Sequence, residues 1–175
     1  IIILGDIVGY GPDPAECIDL IRSLPRTRVI KGNNDVGCYD DEFFNDPHNF
    51  NPHARQAIAW TRQQLTPEHK QYLRGLDTKV YITYGVVGAH GTLNSPDEFG
   101  YLFYERQRGQ QLVITENLQL SFAEMNRLGA RVCLVGHSHV PVAFMPDGSQ
   151  IRLNFGGLDV FAVNHYGRRV IACAG

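Results

Sequence analysis

Apolar runs and amphipathic stretches alternate along the first part of the chain. Residues 1–4 are all Ile or Leu, which is typical of a short strand covered on both faces. Apolar residues at every third position predict a helix over residues 14–24, with Asp13 as its N-cap and Glu16 as the acidic partner of a capping box. Residues 28–31 predict a second strand. The pattern therefore indicates a strand, a helix and a strand in succession.

The middle of the chain begins with a polar stretch that has no hydrophobic period. Residues 33–50 are rich in Asn, Asp, Gly and Phe and are predicted to form a long loop. Apolar residues at helical spacing, each time after a capping residue and a proline, predict helices over residues 52–65 and 67–73. Two β-rich stretches, residues 80–84 and 86–89, follow and are predicted to be strands.

The last part of the chain again mixes strand and helix patterns. Residues 91–111 show no regular pattern and are predicted to be irregular, whereas residues 115–128 carry apolar positions on one helical side. Residues 132–135 form the most hydrophobic candidate strand. A turn signal then predicts a hairpin between residues 142–145 and 151–155.

This order of elements predicts one α/β domain with a mixed sheet over residues 1–175. Lys and Arg number 16 against 18 acidic residues, and the resulting net charge of −2 argues against a stable nucleic-acid complex. No apolar run approaches the roughly 20 residues that cross a bilayer. The four cysteines are scattered, which predicts a reduced, cytoplasmic protein in which Cys17 and Cys133 pack as small apolar residues.

Polar side chains follow four of the predicted strands. Because the carboxyl ends of strands in open α/β sheets deliver side chains to one crevice, these segments are expected to converge. A carboxylate, a carboxamide oxygen and imidazoles together suit Mn, Fe, Co, Ni or Zn. Taken singly, most of these residues also have ordinary roles as turn formers or caps. Two histidines placed two residues apart after an apolar strand point more directly to a metal. The candidates are Asp6, Asn33, Asn34, Asp35, His90, His137 and His139.

The same residues belong to four short motifs, which are Gly5-Asp6-Ile7-Val8-Gly9, Gly32-Asn33-Asn34-Asp35, Gly88-Ala89-His90 and Gly136-His137-Ser138-His139. In this order they resemble the calcineurin-like metallophosphoesterase family, and the resemblance covers essentially the whole chain. It implies a four-layer α/β sandwich of two mixed β-sheets flanked by helices. Residues 5–14 and 54–58 are similar to the family's bacterial branch of small stand-alone phosphodiesterases.

The resemblance implies that Asp6 bridges two divalent transition-metal ions, with Mn as the first choice and Fe, Ni, Co or Zn as alternatives. It assigns Asn33, His90 and His137 to one ion and His139 to the other. The second ion also needs an Asp and a His from an Asp-x-His motif, which the family places on a strand before Asp6. That strand, and closing strands at the other end, are expected to lie outside this chain.

Asn34 stands where many members of the family have a histidine that contacts the phosphate and assists the leaving group. An amide can hydrogen-bond a phosphate oxygen, but it cannot act as a general acid, a role worth about 10²- to 10⁴-fold in rate. Asp35 either takes part in this site or caps the local backbone. Asn34 and Asp35 are therefore the candidate catalytic residues.

These features predict hydrolysis of a phosphodiester or nucleotide-type phosphate ester by attack of a metal-bound water or hydroxide. Two alternatives stay open, a phosphomonoesterase or phosphoprotein phosphatase, and a non-catalytic scaffold with the same fold. The expected binding partner is a small phosphate-ester or nucleotide substrate, and homo-oligomerisation is left open. Aromatic residues in two loops either stack on a nucleobase or pack the loops against the body. They are Phe43, Phe44, Phe50, Phe99, Tyr101, Phe103 and Tyr104.

Overall fold

The structure is a computed structural model that describes residues 1–106, 111–152 and 169–173. Within these ranges the chain forms ten β-strands and six α-helices, so the predicted α/β fold class with a mixed sheet is confirmed. Two compact units are present, Ile1–Thr78 and Lys79–Gly175. Whether they act as the single domain predicted from the sequence stays a prediction. In the described ranges, no helix is long and apolar enough to cross a membrane.

The first unit combines a two-stranded parallel sheet with five helices. Strand β1 pairs with β2 so that Ile2 lies opposite Arg28, and both strands are shorter than the sequence predicts. The helices α1, α4 and α5 confirm the three predicted helices. The elements are β1 Ile2–Ile3, α1 Pro14–Ser23, β2 Arg28–Val29, α2 Asn33–Tyr39, α3 Asp41–Asn45, α4 Pro52–Gln64 and α5 Pro67–Arg74.

Local capping chemistry sets where two of these helices begin. The Asn51 side chain accepts a hydrogen bond from the backbone N–H of Ala54, and the Thr66 hydroxyl accepts one from the N–H of His69. The predicted capping box of α1 is wrong, because the Asp13 side chain makes no capping hydrogen bond. Its backbone, with φ −122° and ψ 60°, lies outside the extended region that aims a cap side chain at the first turn.

The predicted loop over residues 33–50 is also wrong, since it contains helices α2 and α3. The Asp40 side chain starts α3 by accepting a hydrogen bond from the N–H of Phe43 at 2.9 Å. Arg62 of α4 donates to the carbonyl oxygen of Gly37 at 2.6 Å and so holds the last turn of α2. The contact of Arg62 with Gly37 joins residues 25 positions apart, so it forms only when these segments pack together and no local pattern predicts it.

The second unit is built on a six-stranded mixed sheet in the order β3-β4-β7-β10-β8-β9. Strands β4, β7 and β10 are parallel to one another, whereas β3, β8 and β9 pair antiparallel with their neighbours. The elements are β3 Lys79–Thr83, β4 Val86–Ala89, β5 Phe103–Arg106, β6 Gln111–Ile114, α6 Glu116–Leu128, β7 Val132–Val135, β8 Val142–Phe144, β9 Gln150–Arg152 and β10 Val170–Cys173.

The sequence predictions for this unit are confirmed except in one segment. Residues 91–111, predicted to be irregular, contain β5, which pairs antiparallel with β6. Its first residue, Phe103, is buried, and the three that follow are exposed, a pattern too short to read as a strand. The predicted hairpin is present as β8 and β9, while residues 153–155 of its second arm lie outside the described residues.

Each unit has its own hydrophobic core. The core of the first unit is built mainly by helices and includes Ile18, Cys38, Ile58 and Leu73. The core of the second unit lies between α6 and the six-stranded sheet. It includes Phe103, Leu118, Phe122, Met125, Val135, Phe144 and Ile171. The sheet that carries the histidines is thus held rigidly from within its own unit.

Two glycines at helix C-termini differ in backbone conformation and should respond differently to substitution. Gly129 ends α6 at φ 66°, whereas Gly75 ends α5 at φ −75°. We expect Gly129→Ala to lower the free energy of unfolding by about 1 kcal/mol, because an L side chain is strained in the left-handed region. Gly75→Ala should be neutral, since its new Cβ would lie 3.5 Å from the nearest atoms. Urea titration compares the two, and equal losses would contradict this account.

Candidate functional site

Parallel pairing in each unit places chemistry-bearing residues at one edge of a sheet. In the first unit β1 and β2 run parallel and lead into Asp6 and into the Gly32 to Asp35 segment. In the second unit Ala89 of β4 lies opposite Val135 of β7, and these strands lead into His90 and His137. The predicted convergence at carboxyl ends is therefore confirmed within each unit.

In the first unit, Asn34 holds the carboxylate of Asp6 at both oxygens. The backbone N–H of Asn34 donates to Asp6 Oδ1 at 3.0 Å, and its side-chain Nδ2 donates to Asp6 Oδ2 at 2.9 Å. Asp6 itself has φ 52°, a left-handed conformation that Asp tolerates better than most residues. The orientation of this carboxylate is therefore set by the first turn of α2.

Asp35 lies beneath this pair and is completely buried. Its Oδ2 accepts the backbone N–H of Gly32 at 2.9 Å, and its Oδ1 accepts the N–H of Val8 at 3.2 Å. A buried carboxylate needs such partners, because an unpaired one would cost several kcal/mol. Asp35 thus ties the loop after β1 to the loop after β2, and this is the capping role that the sequence left open.

Two glycines allow these loops to approach one another. Gly5 has φ 92°, and a Cβ there would lie 2.5 Å from the backbone nitrogen of Gly32. Gly9 has φ 132°, and a Cβ there would lie 2.9 Å from Cβ of Asn34. Both positions therefore exclude a side chain on steric and conformational grounds. Asn33 completes the cluster, its Nδ2 donating to Asn34 Oδ1 at 3.3 Å.

In the second unit, His90 and His137 place two ring nitrogens side by side. His90 Nε2 lies 3.1 Å from His137 Nδ1, and the ring centroids are 4.8 Å apart. His90 is only 2% exposed, and its carbonyl oxygen accepts the N–H of Gly136 at 2.8 Å. The backbone bond fixes the start of the second loop against the end of β4, so the two imidazoles are held together by strand geometry.

Aromatic rings pack around both histidines. Phe99 meets His90 edge to face, with ring centroids 5.9 Å apart, and Tyr101 stacks on His137 with centroids 4.0 Å apart and an angle of 29°. The sequence named both rings only as residues that either stack on a nucleobase or pack a loop, and it did not predict their contacts with the histidines. The aromatic composition of residues 94–108 was the signal available, but the contact with His137 depends on where that segment folds back.

His137 and His139 both have left-handed backbones, with φ 64° and 54°. Such conformations are uncommon outside glycine and cluster at functional sites. His139 is exposed, unlike the partly buried His137. The two imidazoles of this segment therefore have different environments: His137 lies against His90, whereas His139 is exposed to solvent.

The cysteines contribute no nucleophile to these clusters. Burial raises the pKa of the Cys38 thiol to about 12, with the Asp35 carboxylate adding to the shift. Burial also raises the pKa of Cys133. Both thiols therefore stay protonated and act as small apolar groups, as predicted for Cys133. Cys17 is exposed, so its predicted packing role is wrong. It lies on a side of α1 that does not contribute to the core of the first unit.

The sequence model of the family described as calcineurin-like phosphoesterase matches residues 1–141. This chain belongs to that family. A crystal structure of a metallophosphoesterase from Sphaerobacter thermophilus is 32% identical, with a TM-score of 0.69 over 98% of this chain and 63% of that one. The calcineurin-like phosphoesterase fold of this chain is therefore shown by both sequence and structure.

Two further similarities agree with the family. The uncharacterized protein MJ0912 of Methanocaldococcus jannaschii is 30% identical over 149 residues, which are 83% of this chain and 53% of that protein. The hypothetical protein PH1004 of Pyrococcus horikoshii OT3 shares the fold, with a TM-score of 0.64 at 22% identity, over 99% of this chain and 62% of that one. This calcineurin-like phosphoesterase chain thus spans between half and two thirds of the length of these relatives.

The buried carboxylate of Asp35 should be a main source of stability in the first unit. Asp35→Ala leaves two backbone N–H groups without acceptors, so we expect a loss of about 3 kcal/mol in the free energy of unfolding. Asp40→Ala is the matched control, since it removes a single, partly buried bond to Phe43 and should cost about 1 kcal/mol. Urea denaturation measures both. Equal losses would show that the Asp35 bonds add no more than an ordinary helix cap.

Proposed function

We propose that this chain carries the catalytic residues of a metal-dependent phosphoester hydrolase. The observation that carries the proposal is the pair of ring nitrogens on His90 and His137, 3.1 Å apart at the carboxyl ends of two parallel strands. Membership of the calcineurin-like phosphoesterase family supports the reaction class. The oriented carboxylate of Asp6 supports it independently, because carboxylate and imidazole together are a donor set for first-row divalent ions.

The proposed ligands of one ion are Asp6, Asn33, His90 and His137, and His139 is assigned to a second ion that Asp6 shares. The donor chemistry fits this assignment. Asn33 offers an amide oxygen, and its amide nitrogen donates to Asn34. We propose two divalent ions, with Mn first among Mn, Fe, Ni, Co and Zn, since nitrogen and oxygen donors are mixed.

When bound, such ions supply Lewis-acid polarisation of the phosphate and activation of a water molecule. The residues of the chain contribute orientation. Asn34 holds both oxygens of Asp6, and Asp35 holds the two loops from which Asp6 and Asn34 project. Phe99 and Tyr101 limit how far the rings of His90 and His137 can rotate. Holding the donors in place before the substrate arrives is the main protein contribution in such sites.

Asn34 and Asp35 are proposed as residues that position the site. One hydrogen of the Asn34 amide is committed to Asp6, and the second is suited to a phosphate oxygen. An amide cannot protonate a leaving group, so substrates with good leaving groups are favoured. We propose a small phosphodiester or nucleotide-type ester as substrate and, on the scattered, unpaired pattern of cysteines, the cytoplasm as the compartment.

His137→Ala should remove metal from the protein and abolish hydrolysis, because the variant loses one of two paired imidazoles. His53→Ala, at an exposed position near the start of α4, is the matched control and should change neither property. Metal content per chain is measured by inductively coupled plasma mass spectrometry after incubation with Mn²⁺ and removal of loosely bound ion. Full metal content together with normal turnover in His137→Ala would contradict the assignment.

Asn34→His should leave the metal content unchanged and preserve or raise the rate on esters with poor leaving groups. The backbone N–H of residue 34 still reaches Asp6 Oδ1, and the imidazole adds a group that can donate a proton. Rates are compared across phenyl phosphodiesters of increasing leaving-group pKa, with metal content measured in parallel. Loss of bound metal would show that the Asn34 side chain is itself needed to hold the ligands.

A further inference from the structure

The structure points to a second subsite in the Lys79–Gly175 unit. We infer that a pocket beside His137, lined by Tyr101, Phe103, Tyr104, Glu105, Ser138 and Val140, binds the nucleobase of a nucleoside phosphoester. The inference rests on the proposed function, because it names the substrate class of the same site. It goes further by assigning the recognition of the organic part of that substrate to the segment around β5.

Tyr101 connects this pocket to the histidines. One face of its ring stacks on His137, while nearly half of the side chain, 49%, is exposed. Its backbone carbonyl accepts hydrogen bonds from Thr115 Oγ1 at 2.6 Å and Asn117 Nδ2 at 3.3 Å. These bonds fix the backbone from which the ring projects. A group that contacts Tyr101 from the pocket lies next to the site where the phosphate is proposed to bind.

The shape of the pocket suits a flat, apolar ring. Its volume is about 200 Å³, enough for one ring system and smaller than a complete ligand site. Phe103 is 1% exposed and forms a fixed apolar wall, while Tyr104, the next residue along β5, is 55% exposed. Tyr104 lines the same pocket as Phe103. An exposed tyrosine at such a wall is available for stacking on a base.

The polar groups of the pocket favour an uncharged base over a second phosphate. Glu105 lines it, and none of the described residues in its lining is Lys or Arg. The described part of the lining therefore offers a phosphate no cationic side chain to bind.

A second cavity, in the Ile1–Thr78 unit, is less suited to this role. It has a volume of about 320 Å³ and is lined by three acidic residues with Phe43 and Asn49. Its carboxylates, those of Asp40, Glu42 and Asp46, would repel a phosphoester. Of these two cavities, the one lined by Tyr101 has the more apolar lining, and the stacking of Tyr101 on His137 connects it to the paired histidines.

The test compares two phosphodiesters that share one leaving group and differ only in the other substituent. They are thymidine 5′-(p-nitrophenyl) phosphate and methyl p-nitrophenyl phosphate, each assayed with the Mn²⁺-loaded protein. We expect wild-type kcat/KM to be at least about tenfold higher for the thymidine ester, from stacking of the base. Tyr104→Ala should reduce this ratio by about tenfold, whereas Tyr104→Phe, which keeps the aromatic face, should retain it.

Tyr84→Ala is the matched control. Tyr84 is 93% exposed in the turn between β3 and β4, at the end of β4 opposite His90, and its loss should leave the ratio unchanged. Equal kcat/KM values for the two esters in the wild type, or an unchanged ratio in Tyr104→Ala, would overturn the nucleobase subsite while the hydrolase proposal stands. Failure to hydrolyse either ester would overturn the proposed diesterase function, and the subsite with it.

Discussion

Parallel pairing of short strands is the constraint on which the rest of this structure depends. It brings the ends of β1 and β2 together in one unit, and the ends of β4 and β7 together in the other. Each of these strands is only two to four residues long, so its side chains cannot by themselves supply much stability. Helices and core side chains in each unit provide it, and the strand ends are then free to carry polar residues.

Burying those polar residues without hydrogen-bond partners would be costly, and the structure provides such partners. The carboxylate of Asp35 accepts two backbone N–H groups, and the carboxylate of Asp6 accepts two bonds from Asn34. Two neighbouring residues of α2, Asn34 and Asp35, therefore hold the Asp6 carboxylate and the loops beside it. Asp6 and His137 both have left-handed backbones, a conformation that is uncommon outside glycine and that clusters at functional sites.

Much of this organisation was predictable, and two of the elements that were not, α2 and β5, share one cause. Helices α4 and α5 begin at capping residues, Asn51 and Thr66, whose hydrogen bonds reach only three residues along the chain. Local rules suffice there. Helix α2 depends on Arg62 from a distant helix, and β5 depends on pairing with β6. A sequence pattern cannot show a contact whose partner is set by folding.

The sequence by itself determined the α/β class, the family motifs and the identity of the polar residues at the strand ends. These follow from hydrophobic period, caps and short motifs, which are local properties of the chain. Only the tertiary structure decided that Nε2 of His90 lies 3.1 Å from Nδ1 of His137, and that the Asp35 carboxylate accepts the backbone N–H groups of Gly32 and Val8. The stacking of Tyr101 on His137 was decided in the same way. Distances between side chains far apart in sequence arise from packing, because strand register and loop approach are global properties of the folded chain.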